Sequence, residues 1–99
     1  MRNLQFTSTA QVFLDKLERR DLVLFNQIST RIEKLQADPE AQGVKKLSSY
    51  QFYRARVRDF RIIYEFNDEE MRVIIIGHRN NVYRNLKLLM KNIRQFKPL

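Results

Sequence analysis

The chain has 99 residues, room for one domain spanning 1–99 around a single core. Lys and Arg number 19 against 11 Asp and Glu, a formal charge of +8 that points to an acidic partner such as nucleic acid, an anionic membrane surface or an acidic protein. The absence of Cys excludes disulfides, thiol chemistry and cysteine-ligated metal sites, and one His without a carboxylate cluster offers no readable metal site. With 43% hydrophobic residues the chain should fold. Apolar runs such as Val73-Ile74-Ile75-Ile76 are far too short to span a bilayer, and Met1-Arg2-Asn3-Leu4-Gln5 lacks the apolar stretch of a secretion signal. A soluble, cytoplasmic protein without membrane contacts is therefore expected. The charge is uneven: residues 1–49 hold 8 basic and 6 acidic side chains, residues 50–99 hold 11 and 5, and no acidic residue follows Glu70. One-signed charge of this kind favours a bound anion.

Asn3-Leu4-Gln5-Phe6-Thr7 alternates polar and apolar like a short strand. Ser8-Thr9-Ala10-Gln11 reads as a capping box, followed by a helix that turns Ala10, Phe13, Leu14 and Leu17 inward. Asp21 can cap a second helix, with Phe25, Ile28, Ile32 and Leu35 as its buried stripe. Asp38-Pro39 ends that helix, and Asp38 to Lys46 reads as a loop. From Tyr50 the period changes to two: Tyr53, Ala55 and Val57 share one side of a strand, and Arg54, Arg56 and Arg58 share the other. A turn at Arg58-Asp59 leads to a strand in which Phe60, Ile62, Tyr64 and Phe66 alternate with Arg61, Ile63 and Glu65. The polar turn Asn67 to Glu70 leads to a third strand, Met71 to Gly77, completing an antiparallel meander. Asn80 or Asn81 can cap a last helix with Val82, Leu86, Leu89, Met90 and Ile93 inward and Arg84, Lys87, Lys91 and Arg94 as a basic stripe. The class is α+β: an opening strand and helix pair on a small, mostly antiparallel sheet, with a C-terminal helix. Helices are expected on one face only, the arginine face staying open.

Two features carry chemistry. Arg54, Arg56 and Arg61 can gather on one sheet face, where guanidinium forks match phosphate oxygens two at a time. Gly77-His78-Arg79-Asn80-Asn81-Val82-Tyr83 then places a His, an Arg and a Tyr at a strand-to-helix junction whose backbone amides are free. His can move a proton near neutral pH, Arg can stabilise a pentavalent phosphate, and Tyr can donate a hydrogen bond or stack on a base. A Gly-rich phosphate loop cannot be built from two glycines, and neither GxSxG nor HExxH occurs.

Tyr53-Arg54-Ala55-Arg56-Val57-Arg58-Asp59-Phe60-Arg61-Ile62-Ile63-Tyr64-Glu65, followed by Gly77-His78-Arg79-Asn80-Asn81-Val82-Tyr83, resembles the RelE/ParE superfamily of type II toxin–antitoxin toxins, its RelE-like members most of all. The resemblance implies a RelE-like fold and an mRNA interferase, an endoribonuclease that cuts messenger RNA in the ribosomal A site and is held inactive by a cognate antitoxin. It maps site residues onto Arg54, Arg56, Arg61, Arg79 and Tyr83. Familiar members carry lysines where this chain has Arg54 and Arg56; arginine does not give up its proton, so these two, with Arg58, are expected to bind RNA phosphates. Proton removal from the 2′-hydroxyl is left to His78 or Tyr83, with His78 favoured. Leaving-group stabilisation falls to Arg79 and transition-state charge to Arg61. No cofactor or metal is implied, because the attacking group is the RNA's own 2′-oxygen. A non-catalytic, ParE-like inhibitor of DNA gyrase and a plain RNA-binding module are the alternatives.

Overall fold

The computed structural model describes residues 1–93 and 96–99. The elements are β1 (Asn3–Phe6), α1 (Ser8–Arg20), α2 (Leu22–Ala37), β2 (Lys45–Lys46), β3 (Tyr53–Val57), β4 (Phe60–Phe66), β5 (Glu70–His78) and α3 (Val82–Asn92). One five-stranded sheet runs in the order β1-β5-β4-β3-β2; β3, β4 and β5 are the expected meander, and β1 lies parallel to β5. The class is α+β, as read from the sequence.

The cap of α1 lies one residue before the expected box. Thr7 is the N-cap: its hydroxyl accepts from the Ala10 N–H at 3.1 Å and donates to the Ile74 carbonyl at 2.6 Å. Thr7 also donates its backbone N–H to Val73 at 3.1 Å, so the sheet, and not the helix alone, decides where α1 starts. Gln11 bonds Asp15 instead of closing a box. At the start of α2, Asp21 accepts from the Leu24 N–H at 3.1 Å, as expected. The inward stripes of the two helices, Ala10 and Leu14 with Leu24, Ile28, Ile32 and Leu35, pack on Ala55, Ile62, Tyr64, Met71, Val73 and Ile76 of the sheet.

Two readings are corrected. Lys45–Lys46, inside the segment read as a loop, pairs antiparallel with Tyr53 and Arg54 as a two-residue edge strand, too short to show a period. The second sheet face is not open either, because α3 lies on it. The β4–β5 register shifts between Ile63 and Tyr64, whose partners are Ile75 and Val73, so Ile74 is an extra residue. This bulge turns Ile74 and Ile75 both toward the second face, where they meet Ile63 and Phe52. Val82 and Leu86 cover that apolar patch, with Leu89 and Met90 beside them. Strict alternation hides a bulge, since one inserted residue reverses the face of every later side chain in the strand. Glu65, also buried, is paired with Arg72, and its other oxygen accepts from the Leu99 N–H at 3.0 Å. Arg94 of the expected basic stripe lies outside the described residues. Among those described, no helix is long and apolar enough to cross a membrane.

Tyr64 is fully buried, and its hydroxyl donates to the Pro39 carbonyl at 2.5 Å. Burial, the largest influence, raises its pKa above the ordinary 10.0 despite the opposing charge of Arg31. The unfolded chain therefore ionises Tyr64 at lower pH than the folded one. The contribution is fully present below about pH 10 and is lost as pH rises beyond it. Urea unfolding between pH 8 and 11 should show stability falling above about pH 10, and falling less steeply in Tyr64→Phe. At pH 8 the same substitution should cost about 1–3 kcal/mol, since a buried carbonyl loses its donor. Equal alkaline slopes in the two proteins would remove Tyr64 as the source.

Candidate active site

Strand register builds a basic row on the second face. Arg54 stands opposite Lys45 of β2, Arg56 opposite Arg61 of β4, and Arg61 opposite Gly77 of β5. Like charges directly across a sheet destabilise it, so an anion bound here relieves repulsion already present in the fold. At Gly77 the start of α3 packs onto the strand: a Cβ there would stand 3.4 Å from both Cβ and Cγ2 of Val82, ordinary van der Waals contact. That start carries Tyr83 to Arg54, whose Nη1 donates to the Tyr83 hydroxyl at 3.2 Å. Two motifs 29 residues apart thus meet in one contact. Asn81, the N-cap of α3, makes no side-chain bond to a helix amide; its Oδ1 accepts from Arg84 at 3.3 Å.

The expected site residues do not all converge. Arg54 is half-buried, and its Nε and Nη2 are covered yet have no hydrogen-bond partner. Arg56 is exposed beside it. Arg61 shares this face but is only 8% exposed, and its Nη1 donates to the carbonyls of Arg58 (3.2 Å) and Phe60 (3.0 Å). It braces the β3–β4 turn. Arg58 leaves the face on which strand alternation puts it: β3 has ended, its φ is 54°, and Nη1 approaches Oε1 of Gln27 on α2 at 3.5 Å.

His78 also departs from expectation. It is paired with Phe60, on the side of the helix pair, and its ring lies edge-on to Phe60 at 5.5 Å. Its Nδ1 accepts from the Asn80 N–H at 3.1 Å, so the neutral ring carries its proton on Nε2. Arg79 lies at the rim between the two faces, its N–H donating to the Asp59 carbonyl at 2.8 Å. Its guanidinium is barely held, with Nε 3.9 Å from an Asp59 carboxylate oxygen and both side chains mostly exposed. Arg54, Arg56 and Tyr83 share one face as the core of the candidate site, Arg79 stands at the Asp59 turn, and Arg61 braces the β3–β4 turn. The sequence reads Asp59 only as a turn residue and Asn80 only as a possible helix cap; the one signal for more is that Asp59 is the lone acidic residue between Glu40 and Glu65. Among the described residues, no group of three or more His, Cys, Asp or Glu could hold a metal ion.

Comparison with known proteins now bears on this site. The family model described as the ParE toxin of the type II toxin–antitoxin system parDE matches residues 4–83. Solved structures share the fold at low identity. A YoeB/ParE toxin from Agrobacterium tumefaciens is 19% identical with a TM-score of 0.69, covering 79% of this chain and 98% of that one. The YoeB dimer from Staphylococcus aureus is 18% identical with a TM-score of 0.68, covering 78% and 95%. The E. coli DinJ–YafQ complex matches at 16% identity and a TM-score of 0.67, covering 81% and 96%. No curated protein sequence matches the chain.

The His78 geometry has a direct spectroscopic check. At a pH where the ring is neutral, long-range proton–nitrogen NMR correlations should show a protonated Nε2 and a bare Nδ1. The opposite tautomer would mean that the Asn80 N–H does not hold the ring.

Proposed function

The chain belongs to the ParE toxin family of type II toxin–antitoxin systems, and on that premise we propose that it is a metal-independent endoribonuclease that cuts messenger RNA in the ribosomal A site. The observation that carries this reading is the Arg54–Tyr83 contact, which sets a proton-transferring group against a phosphate-binding one on an otherwise basic face. A cognate antitoxin is its proposed partner, as YefM is for YoeB and DinJ for YafQ in the solved complexes. The cytoplasm is the proposed place of action.

Arg54 and Arg56 hold phosphates of the RNA. The fixed position of Arg54, held by its bond to the Tyr83 hydroxyl beside exposed Arg56, supports this role. Tyr83 takes the proton of the 2′-hydroxyl, the role otherwise considered for His78. His78 faces the helix pair, and its Nδ1 is engaged by Asn80, which argues against it as the base. The 2′-oxygen forms a bond to phosphorus while the bond to the 5′-oxygen breaks. The products are a 2′,3′-cyclic phosphate and a 5′-hydroxyl whose proton comes from solvent. Arg79, loosely held at the rim, stabilises charge on the phosphoryl and leaving oxygens. Arg61 acts through position, holding the turn that keeps Arg56 in register.

In a ribosome-programmed cleavage assay, Arg79→Ala should lose about 10²–10³ in rate while ribosome binding largely survives. Tyr83→Phe should cost about 10²–10⁴ and more than His78→Ala; the reverse order returns the base to His78. Arg54→Ala and Arg56→Ala should weaken binding across sequences, and wild-type binding should fall steeply with salt as counterions are released. A double variant, Arg79→Ala with Tyr83→Phe, that still arrests growth would put the non-catalytic, gyrase-directed reading of a ParE-type toxin ahead.

A further inference from the structure

Beside the Arg54–Tyr83 pair, a cleft of about 310 Å³ opens between the loop before β3 and the first turns of α3. Leu47, Ser48, Ser49 and Tyr50 form one wall, and Tyr83, Leu86 and Lys87 the other. Its size is at the lower end of small-molecule sites, about 300–1,000 Å³. Tyr83 belongs to both features: its hydroxyl is bonded to Arg54, and its side chain lines the cleft.

The loop wall is held in place. The Leu47 N–H donates to the Phe52 carbonyl at 2.8 Å, closing the loop at its base. Tyr50 stacks on Phe52 at 5.5 Å with the rings 20° apart, and Phe52 is itself buried in the second core. A site formed before its ligand arrives loses little entropy on binding.

The chemistry of the lining selects among ligands. Leu47, Tyr50, Tyr83 and Leu86 offer apolar and aromatic surface; Ser48 and Ser49 offer hydroxyls that both donate and accept; Lys87 offers a cation. Among the described residues, no acidic side chain lines the cleft. An adjoining groove of about 480 Å³ continues along Lys46 to Gln51 with Lys46 as its charge, so a chain leaving the cleft has a path. Aromatic surface, adaptable hydroxyls and flanking cations are the means by which proteins read unstacked bases of single-stranded RNA.

We infer that this cleft is a nucleotide subsite that seats the base beside the cleaved phosphodiester and so sets which sequences are cut; the inference rests on the endoribonuclease reading above. Tyr50 and the Ser48 and Ser49 hydroxyls contact the base, and Lys87 pairs with the phosphate beyond it.

The test has two arms. In the first, the isotopically labelled full chain is titrated with uncleavable 2′-O-methyl RNA trinucleotides differing in one base. Amide shifts are expected at Leu47 to Tyr50 and at Lys87, with affinities differing between bases. Ser49→Trp, at an exposed position where folding is not at stake, should fill the cleft and lower affinity at least about tenfold. Lys87→Ala should weaken all sequences alike. In the second arm, RNA ends produced on ribosomes are sequenced. Ser49→Trp should cut more slowly, in line with its weaker binding, and change the base preferred next to the cut.

Shifts confined to Arg54 and Tyr83, or an unchanged cutting pattern in Ser49→Trp, would overturn the subsite and leave the endoribonuclease reading intact. Trinucleotides that bind the cleft of a wild-type protein unable to cut RNA would overturn both that reading and a subsite beside a cut, and leave an RNA-binding cleft. Shifts in the cleft with an oligoglutamate peptide and none with RNA would overturn it in favour of an acidic protein segment.

Discussion

Strand β5 is apolar on both faces because α1 and α2 cover one side of it and α3 the other, and the bulge opposite Ile63 and Tyr64 is what allows it. Met71, Val73 and Ile76 serve the first core, Ile74 and Ile75 the second. Without the extra residue, one of the two consecutive isoleucines would turn back toward the helix pair, and the patch under Val82 and Leu86 would shrink. The position of α3 depends on that patch. The meeting of Tyr83 with Arg54 depends in turn on the position of α3. A backbone irregularity in the centre of the sheet thus governs the geometry at its rim.

The basic face opposes the stability of the same sheet. Arg56 and Arg61 stand across from each other, Lys45 and Arg54 likewise, and Arg54 has covered N–H groups without acceptors. Each is unfavourable in the free protein. Arg61 relieves part of this through the carbonyls of Arg58 and Phe60, and Asp59 stands near Arg79 at the edge of ion-pair range. An anion on this face would relieve the cross-strand repulsion. A surface arranged this way gains more from a phosphodiester than a dispersed set of lysines would, because binding removes strain as well as adding contacts. A partner with acidic side chains would gain the same relief as the phosphates of the proposed RNA substrate.

Much of this was legible in the chain alone, for reasons specific to particular segments. Helical spacing in Phe25, Ile28, Ile32 and Leu35 and alternation in Tyr53 to Val57 report which face meets the first core, while the alternation of Phe60, Ile62, Tyr64 and Phe66 reports that face of a strand buried on both sides. Asp21 and the Asp38-Pro39 stop act through neighbouring backbone and need no tertiary partner. The cluster of Arg54, Arg56 and Arg61 on a single face followed from the same alternation. Wherever the cause was local, sequence and structure agree.

Where two distant segments had to agree, residue order was silent. Thr7 displaced Ser8 as the cap of α1 because Ile74 and Val73 claimed it from across the sheet. The bulge at Ile74 moved α3 to the second face, and nothing in an unbroken run of isoleucines marks which one is extra. His78, Arg79 and Tyr83 are near neighbours in the chain, yet a strand end, a turn and a helix start send them to different sides. Sequence by itself determined the three helices, the meander strands, the class, the family resemblance and the chemistry available, because these follow from residue type and period. Only the tertiary structure decided which charged groups touch, which are tied to backbone and which remain free for a ligand, because those depend on long-range register, and a shift of one residue reverses a side chain's face.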